Sequence, residues 1–147
     1  MEKADDFRVS LCVRHPALRP EAISASLHVE PQLSWGVGDV LGGRVRSSTL
    51  WHGTLVEGSG EAYFESALES VLAMLAASES LLRRITSSDG DVSLSIRLVA
   101  EAQDGKAAEM RLNTPFLQAL AQLNIELVFE VWMSGVAIGA PIPELAS

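Results

Sequence analysis

Few residues in this chain have the types and spacings that chemistry needs, and they are scattered. Gly36-Val37-Gly38-Asp39-Val40-Leu41-Gly42 invites a dinucleotide reading. The third glycine of that fingerprint would fall on Leu41, and the stretch neither follows a clear strand nor opens a helix, as pyrophosphate binding requires. A phosphate loop needs Gly-Lys-Ser/Thr, which is absent, so the glycines are read as loop positions with positive φ. His15, His28 and His52 form no pair at i,i+2 or i,i+4, and none adjoins Cys12. That spacing does not suggest a metal site, and no cofactor is expected. Cys12, the one cysteine, lies between Leu11 and Val13 without a sequence-adjacent base to activate it, and is read as a structural thiol. No catalytic residue is assigned.

Two groups remain. Glu126 and Glu130 share one face of a strand at about 13 Å between Cα atoms, wider than the usual carboxyl pair of a glycosidase. With Arg8, Arg14 and Arg97 on matching faces of other strands, they are read first as cross-strand charge pairs on a solvated sheet. The sharper reading is an interaction face of Arg97, Glu126, Glu130 and Trp132, the tryptophan serving as apolar anchor. The second group is the irregular segment from Trp35 to Trp51. There Trp35, Asp39, Arg44 and His52 are candidate ligand-binding residues, because loops on a rigid scaffold often carry function.

The elements that must position these residues follow from periodicity. Phe7, Val9, Leu11 and Val13 alternate with Arg8, Ser10, Cys12 and Arg14, the period of a half-buried strand. Pro20 opens a short helix with Glu21 near its positive end and Ile23 and Leu27 on one face. Residues 30 to 48 are irregular, with a short strand available between Gln32 and Val37. Ser48 to Val56 reads as an interior strand, with Trp51 and Leu55 on one side and Leu50, His52 and Val56 on the other. Glu57 to Gly60 reads as a turn. A helical stripe runs from Tyr63 to Thr86, with a bend expected at Ala76-Ala77-Ser78. Val92 to Ala100 alternates again, and Gln103 to Arg111 is a polar loop. Asn113 and Pro115 start a helix that includes Phe116, Leu120 and Leu123. Ile125 to Trp132 is the last strand, with Ile125, Leu127, Phe129 and Val131 expected on the core side.

One-sided alternation wants helices on one face only. The expected fold is therefore α+β: a two-layer sandwich with a mainly antiparallel four- to five-stranded sheet. Its first six elements suit a ferredoxin-like βαββαβ unit, extended by a further helix and strand. Residues 1–133 are read as a single domain and 134–147 as a C-terminal tail. A chain of 147 residues, 48% of them apolar, buries roughly 68% of its unfolded surface and can hold its own core.

The net charge is −8, from 11 basic and 19 acidic residues. No basic patch exists to displace counterions from phosphates, so nucleic acid is not an expected partner, and anionic membranes would be repelled. The longest apolar stretch, Val71 to Ala77, is too short to span a bilayer. The first residues lack an apolar signal segment and a single cysteine implies no oxidising compartment, so a cytoplasmic location is expected.

One constellation resembles a known family. The Phe7 to Val13 strand is followed by the Pro-Glu-x-Ile-x-x-x-Leu helix start at Pro20 to Leu27, then Glu30-Pro31, Ser34 to Asp39 and the Leu50-Trp51 strand. A long helix, Ser93 to Ile96 and a closing helix–strand pair complete it. Together these resemble the bacterial family known as domain of unknown function 4279, over about residues 7 to 132, with Gly38-Asp39 and Trp51 as its best-marked positions. The resemblance implies a small α+β domain and supplies no activity. Asp39 is expected to bond loop amides and Trp51 to sit in the core.

With no nucleophile–base pair, metal cluster or phosphate loop, the function expected is a non-catalytic protein-interaction role, immunity-type or regulatory, toward a basic protein. A small-ligand site or enzyme built on Trp35, Asp39, Arg44 and His52 is the alternative. A homodimer through a sheet edge or the tail is a third.

Overall fold

The computed structural model of the chain describes residues 6–101 and 110–134. Most of the polar loop expected between Gln103 and Arg111, and the tail beyond Ser134, lie outside those residues. In chain order the elements are β1 (Asp6–His15), α1 (Pro20–Leu27), β2 (Leu33–Trp35), β3 (Val40–Leu41), β4 (Arg44–Val45), β5 (Thr49–Ser59), α2 (Glu61–Ala77), α3 (Glu79–Ser87), β6 (Asp91–Glu101), α4 (Thr114–Gln122) and β7 (Ile125–Ser134).

The main sheet has five strands in the order β2-β5-β1-β6-β7. Neighbours are antiparallel except β6 and β7, which run parallel. A parallel pair cannot be joined by a hairpin and needs a crossover, which α4 supplies. β1 and β2 run parallel with β5 between them, and β5 and β6 run parallel with β1 between them. Two split βαβ units are thus interleaved, an arrangement compatible with the expected ferredoxin-like unit. The α+β sandwich with a mostly antiparallel sheet is the observed fold.

Period-two alternation decides which side is covered. Phe7, Val9, Leu11 and Val13 of β1 and Val92, Leu94, Ile96 and Leu98 of β6 are all buried in one cluster with residues from all four helices. Ile23 and Leu27 come from α1, Phe64, Leu68, Val71 and Leu75 from α2, Leu82 and Ile85 from α3, and Phe116 and Leu120 from α4. Each such side chain, fully buried, contributes about 1.5–3 kcal/mol. The opposite face of the sheet carries no helix among the described residues.

Local signals set the helix ends. Pro20 begins α1, where its missing N–H is no loss. Asn113 caps α4, its Oδ1 accepting the Phe116 N–H at 3.0 Å. The expected long helix is interrupted at Ser78, within the anticipated bend, where φ is −108° and ψ is 16°. Buried Ser78 ties this break to α1: Ser26 Oγ donates to Ser78 Oγ at 2.9 Å, and Ser78 Oγ donates to the Ser26 carbonyl at 3.2 Å.

Four details depart from the sequence reading. β5 runs on to Ser59, through Glu57 and Gly58, which were expected in a turn. Its register against β1 shifts by one residue between the Val9–Val56 and Ser10–Thr54 pairs. This bulge carries Val56 to the helix-covered face, away from Leu50 and His52, because one extra residue inverts the alternation that follows. β3 and β4 form a small hairpin inside the irregular segment, turned by Gly42 and Gly43 at φ 58° and 78°. Two consecutive positive φ values are what a tight hairpin turn demands, and Gly-Gly between Val40-Leu41 and Arg44-Val45 was the available signal. Finally, Phe129 and Val131, expected in the core, are 43% and 52% exposed. They lie on the edge strand, where Ile125 is buried in the core and Leu127 packs half-buried against it, while the residues that follow run beyond that cover.

Candidate functional site

The bare face of the sheet is organised in rows by cross-strand register. One row reads Glu57, Arg8, Arg97, Glu130 across β5, β1, β6 and β7. The next reads Thr54, Ser10, Ser95, Val128, and the next Leu33, His52, Cys12, Ser93, Glu126 from β2 to β7. Beyond it come Trp35, Leu50, Arg14 and Asp91. The middle of the face is therefore a floor of small polar side chains, with charge and tryptophan at the two ends.

At one end, Arg8 Nε donates to Glu57 Oε2 at 3.1 Å. Arg97 lies over the Trp132 ring at 4.9 Å, and Trp132 Nε1 donates to Glu130 Oε2 at 3.2 Å. The cation–π contact orients the guanidinium and the hydrogen bond orients the carboxylate. Three of the four residues expected to form an interaction face, Arg97, Glu130 and Trp132, are thus brought together. Glu126 lies two rows away on the same face of β7. A recess of about 470 Å³ adjoins them, lined by Asp6, Arg8, Glu57, Ser59, Arg97 and Val99 among others.

β7 carries this group to the margin of the sheet. Among the described residues no strand pairs with its outer side, so its peptide groups form a free edge over ten residues. Val128, Phe129, Val131 and Trp132 are exposed along it, on both faces. Protein edges are usually blunted by lysine, proline, bulges or short length. The stretch Ile125–Ser134 contains no lysine, arginine or proline, and its register with β6 is unbroken. The sequence reading missed Phe129 and Val131 as surface groups, since period-two alternation does not reveal which strand lies at an edge.

The Trp35 to Trp51 segment is differently arranged. Trp35 and His52 lie on the bare face as diagonal neighbours of β2 and β5, whereas Arg44 is exposed on the β3–β4 hairpin. Trp35 Nε1 donates to the Ser48 carbonyl at 3.1 Å, and Arg46, not Arg44, stacks over its ring at 4.2 Å. Asp39 Oδ2 accepts the Gly36 N–H at 2.7 Å, and its other oxygen lies 3.7 Å from Arg19 Nη1. The buried Thr49 hydroxyl accepts the Val37 N–H at 2.9 Å. Gly38 takes a φ of 87° in this loop, a value costly to a side chain. Trp51 is completely buried, with its Nε1 donating to Ser24 Oγ at 3.0 Å. Gly53 makes room for its indole: a Cβ there would lie 2.6 Å from Trp51 Cη2.

The histidines stay apart. His15 Nδ1 accepts the N–H groups of Ala17 and Leu18 at 3.0 and 2.8 Å, shaping the turn after β1. His28 ends α1 at φ 56°. His52 stands directly across from Cys12, a neighbour that sequence spacing did not reveal. Burial nevertheless pushes the Cys12 thiol upward, aided by the Asp91 charge and opposed by Arg14 and a Ser93 hydrogen bond. The group is held as a thiol rather than an activated thiolate. Among the described residues, no three His, Cys, Asp or Glu side chains gather as a metal ion would require. No described helix is long and apolar enough to cross a membrane.

Against known proteins, no curated protein and no solved structure matches the chain. The family model described as Domain of unknown function (DUF4279) matches residues 5–134, a span that contains every described element. With the buried Trp51, the Asp39-capped loop and the β7 edge all inside that span, the chain belongs to the DUF4279 family.

Proposed function

We propose that this protein is a non-catalytic interaction protein, regulatory or immunity-type, that receives an extended segment of a basic partner along the free edge of β7. The observation that carries this reading is the edge itself: ten residues of strand whose outer side has no partner among the described residues, with Phe129, Val131 and Trp132 exposed and no basic residue. An added strand would gain main-chain hydrogen bonds from the edge and apolar contact from those side chains. Glu126 and Glu130 on the edge strand, within a chain of net charge −8, favour a basic partner and hasten its encounter. Small-ligand binding in the Trp35 to Trp51 loop has less support, because the polar atoms of Trp35 and Asp39 are already engaged by Ser48, Gly36 and Arg19.

The test compares pull-downs by the full chain and by a Phe129→Lys/Val131→Lys variant at low and high salt. The expected partner is basic, is released by salt, and is lost with the variant. A partner retained by the variant, or none at low salt, overturns the reading.

A further inference from the structure

Resting on that edge-docking reading, we infer that β7 selects its partner by a spacing rule: two basic side chains four residues apart, with apolar residues between them. Glu126 and Glu130 face the same side of the sheet with Val128 between, while Leu127, Phe129 and Val131 face the other side. A strand paired with β7 places each of its residues opposite one of these. Directly opposed side chains have Cβ atoms about 4.5–5.5 Å apart, close enough for lysine or arginine to meet a glutamate. The partner residues opposite Glu126 and Glu130 are then basic, and those opposite Leu127, Val128 and Phe129 are apolar. The core pattern is basic, three apolar, basic, and it reads the same in either strand direction.

Direction is set outside that core. Trp132 lies one same-face step beyond Glu130, whereas the position matching it beyond Glu126 is Asn124, the turn residue with φ 56°. A third basic or aromatic side chain on the partner gains the Trp132 ring only at the Glu130 end. A lysine spacing of three would turn one cation to the Leu127–Phe129 side, because strand side chains alternate.

A second copy of the chain fits this edge poorly. Antiparallel self-pairing centred on Val128 sets Glu126 against Glu130 twice, and in-register parallel pairing sets each glutamate against itself. Like charges directly opposite are destabilising, and two chains of charge −8 repel.

The probes are two synthetic peptides of equal composition, one containing Lys-Val-Val-Val-Lys and the other Lys-Val-Val-Lys-Val, titrated into the isotopically labelled full chain. The first is expected to shift the β7 amides and to bind more tightly, by up to about fivefold, because the second peptide keeps one of the two charge pairs and a pair at the strong end of its usual range is worth about that factor. A Glu126→Lys/Glu130→Lys variant is expected to lose that preference and regain it toward a peptide with glutamates in place of the lysines. Equal binding of both peptides at β7 overturns the spacing rule and leaves edge docking standing. If neither peptide shifts β7 amides while a pulled-down basic partner does, the rule again falls alone. Absence of any partner and of any peptide shift removes both. A dimer detected by light scattering in the free protein, with β7 at its seam, also overturns the rule.

Discussion

Two tryptophan-bearing regions of the molecule have similar residue types and opposite dispositions. In the Trp35 to Trp51 segment, Trp51 is 0% exposed with its N–H satisfied, and Asp39 is committed to a loop amide. On β7, Trp132 is 53% exposed, and Glu126 and Glu130 lie along an edge whose backbone has no partner among the described residues. The first region uses its polar and aromatic groups to hold a loop that has little periodic structure of its own. The second keeps them at the surface, with Glu130, Trp132 and Arg97 touching one another and Glu126 standing apart. A tryptophan or an aspartate in a sequence is evidence of chemistry only to the extent that the fold has not already used it. The two sheet margins repeat the lesson. β2 offers three paired residues followed by a glycine loop, a blunted edge, whereas β7 offers ten.

The sharpest way to break this contrast is Trp51→Ala. Removing a fully buried indole should cost about 3–5 kcal/mol in denaturant unfolding, while Trp132→Ala should stay within about 0.5 kcal/mol. Comparable costs for the two would erase the distinction. Next is Gly53→Ala, which pushes a Cβ into the Trp51 ring and should lose about 1–3 kcal/mol by the same measurement. The Phe129→Lys/Val131→Lys variant should weaken partner binding at least tenfold, about 1.4 kcal/mol by titration calorimetry, with thermal stability nearly unchanged. Asp39→Ala should cost about 1 kcal/mol, mostly from the lost Gly36 N–H bond, since its partly exposed approach to Arg19 adds little.

The smallest effect concerns Cys12. Burial holds its folded-state pKa above the unfolded value. Its contribution to stability is therefore fully present below the ordinary thiol pKa and is lost as pH rises through that range toward the folded value. Alkylation of native protein near neutral pH should be slower than that of denatured protein, and Arg14→Gln should slow it further by removing the lowering charge. A native rate equal to the denatured one would show that the thiol is not shielded.

Much of the architecture was legible from pattern. Alternation in β1 and β6, Pro20, the Asn113–Pro115 helix start and the stripe through Phe64 to Ile85 each depend on neighbours in the chain, so spacing exposes them. The β5 bulge was not legible, because a single inserted residue leaves the strand's composition unchanged and alters only its register with β1. The β3–β4 hairpin had a signal in Gly42-Gly43, hidden by the glycines around it. Of the candidate site residues, Arg97, Glu130 and Trp132 could be grouped in advance only by face. Their ring contact and hydrogen bond depend on β6 lying beside β7.

By itself, then, the amino-acid sequence determined the two-layer α+β character, the one-sided core, the acidic charge and the family. These follow from composition and from periodicities of two and 3.6 residues, which act locally. Only the tertiary structure decided that β7 is an edge, that His52 faces Cys12, and that Phe129 and Val131 lie in the open. Strand order is set by pairing between segments far apart in the chain. The same alternating strand would bury Phe129 and Val131 in the middle of a helix-covered sheet, and at this margin it leaves them exposed.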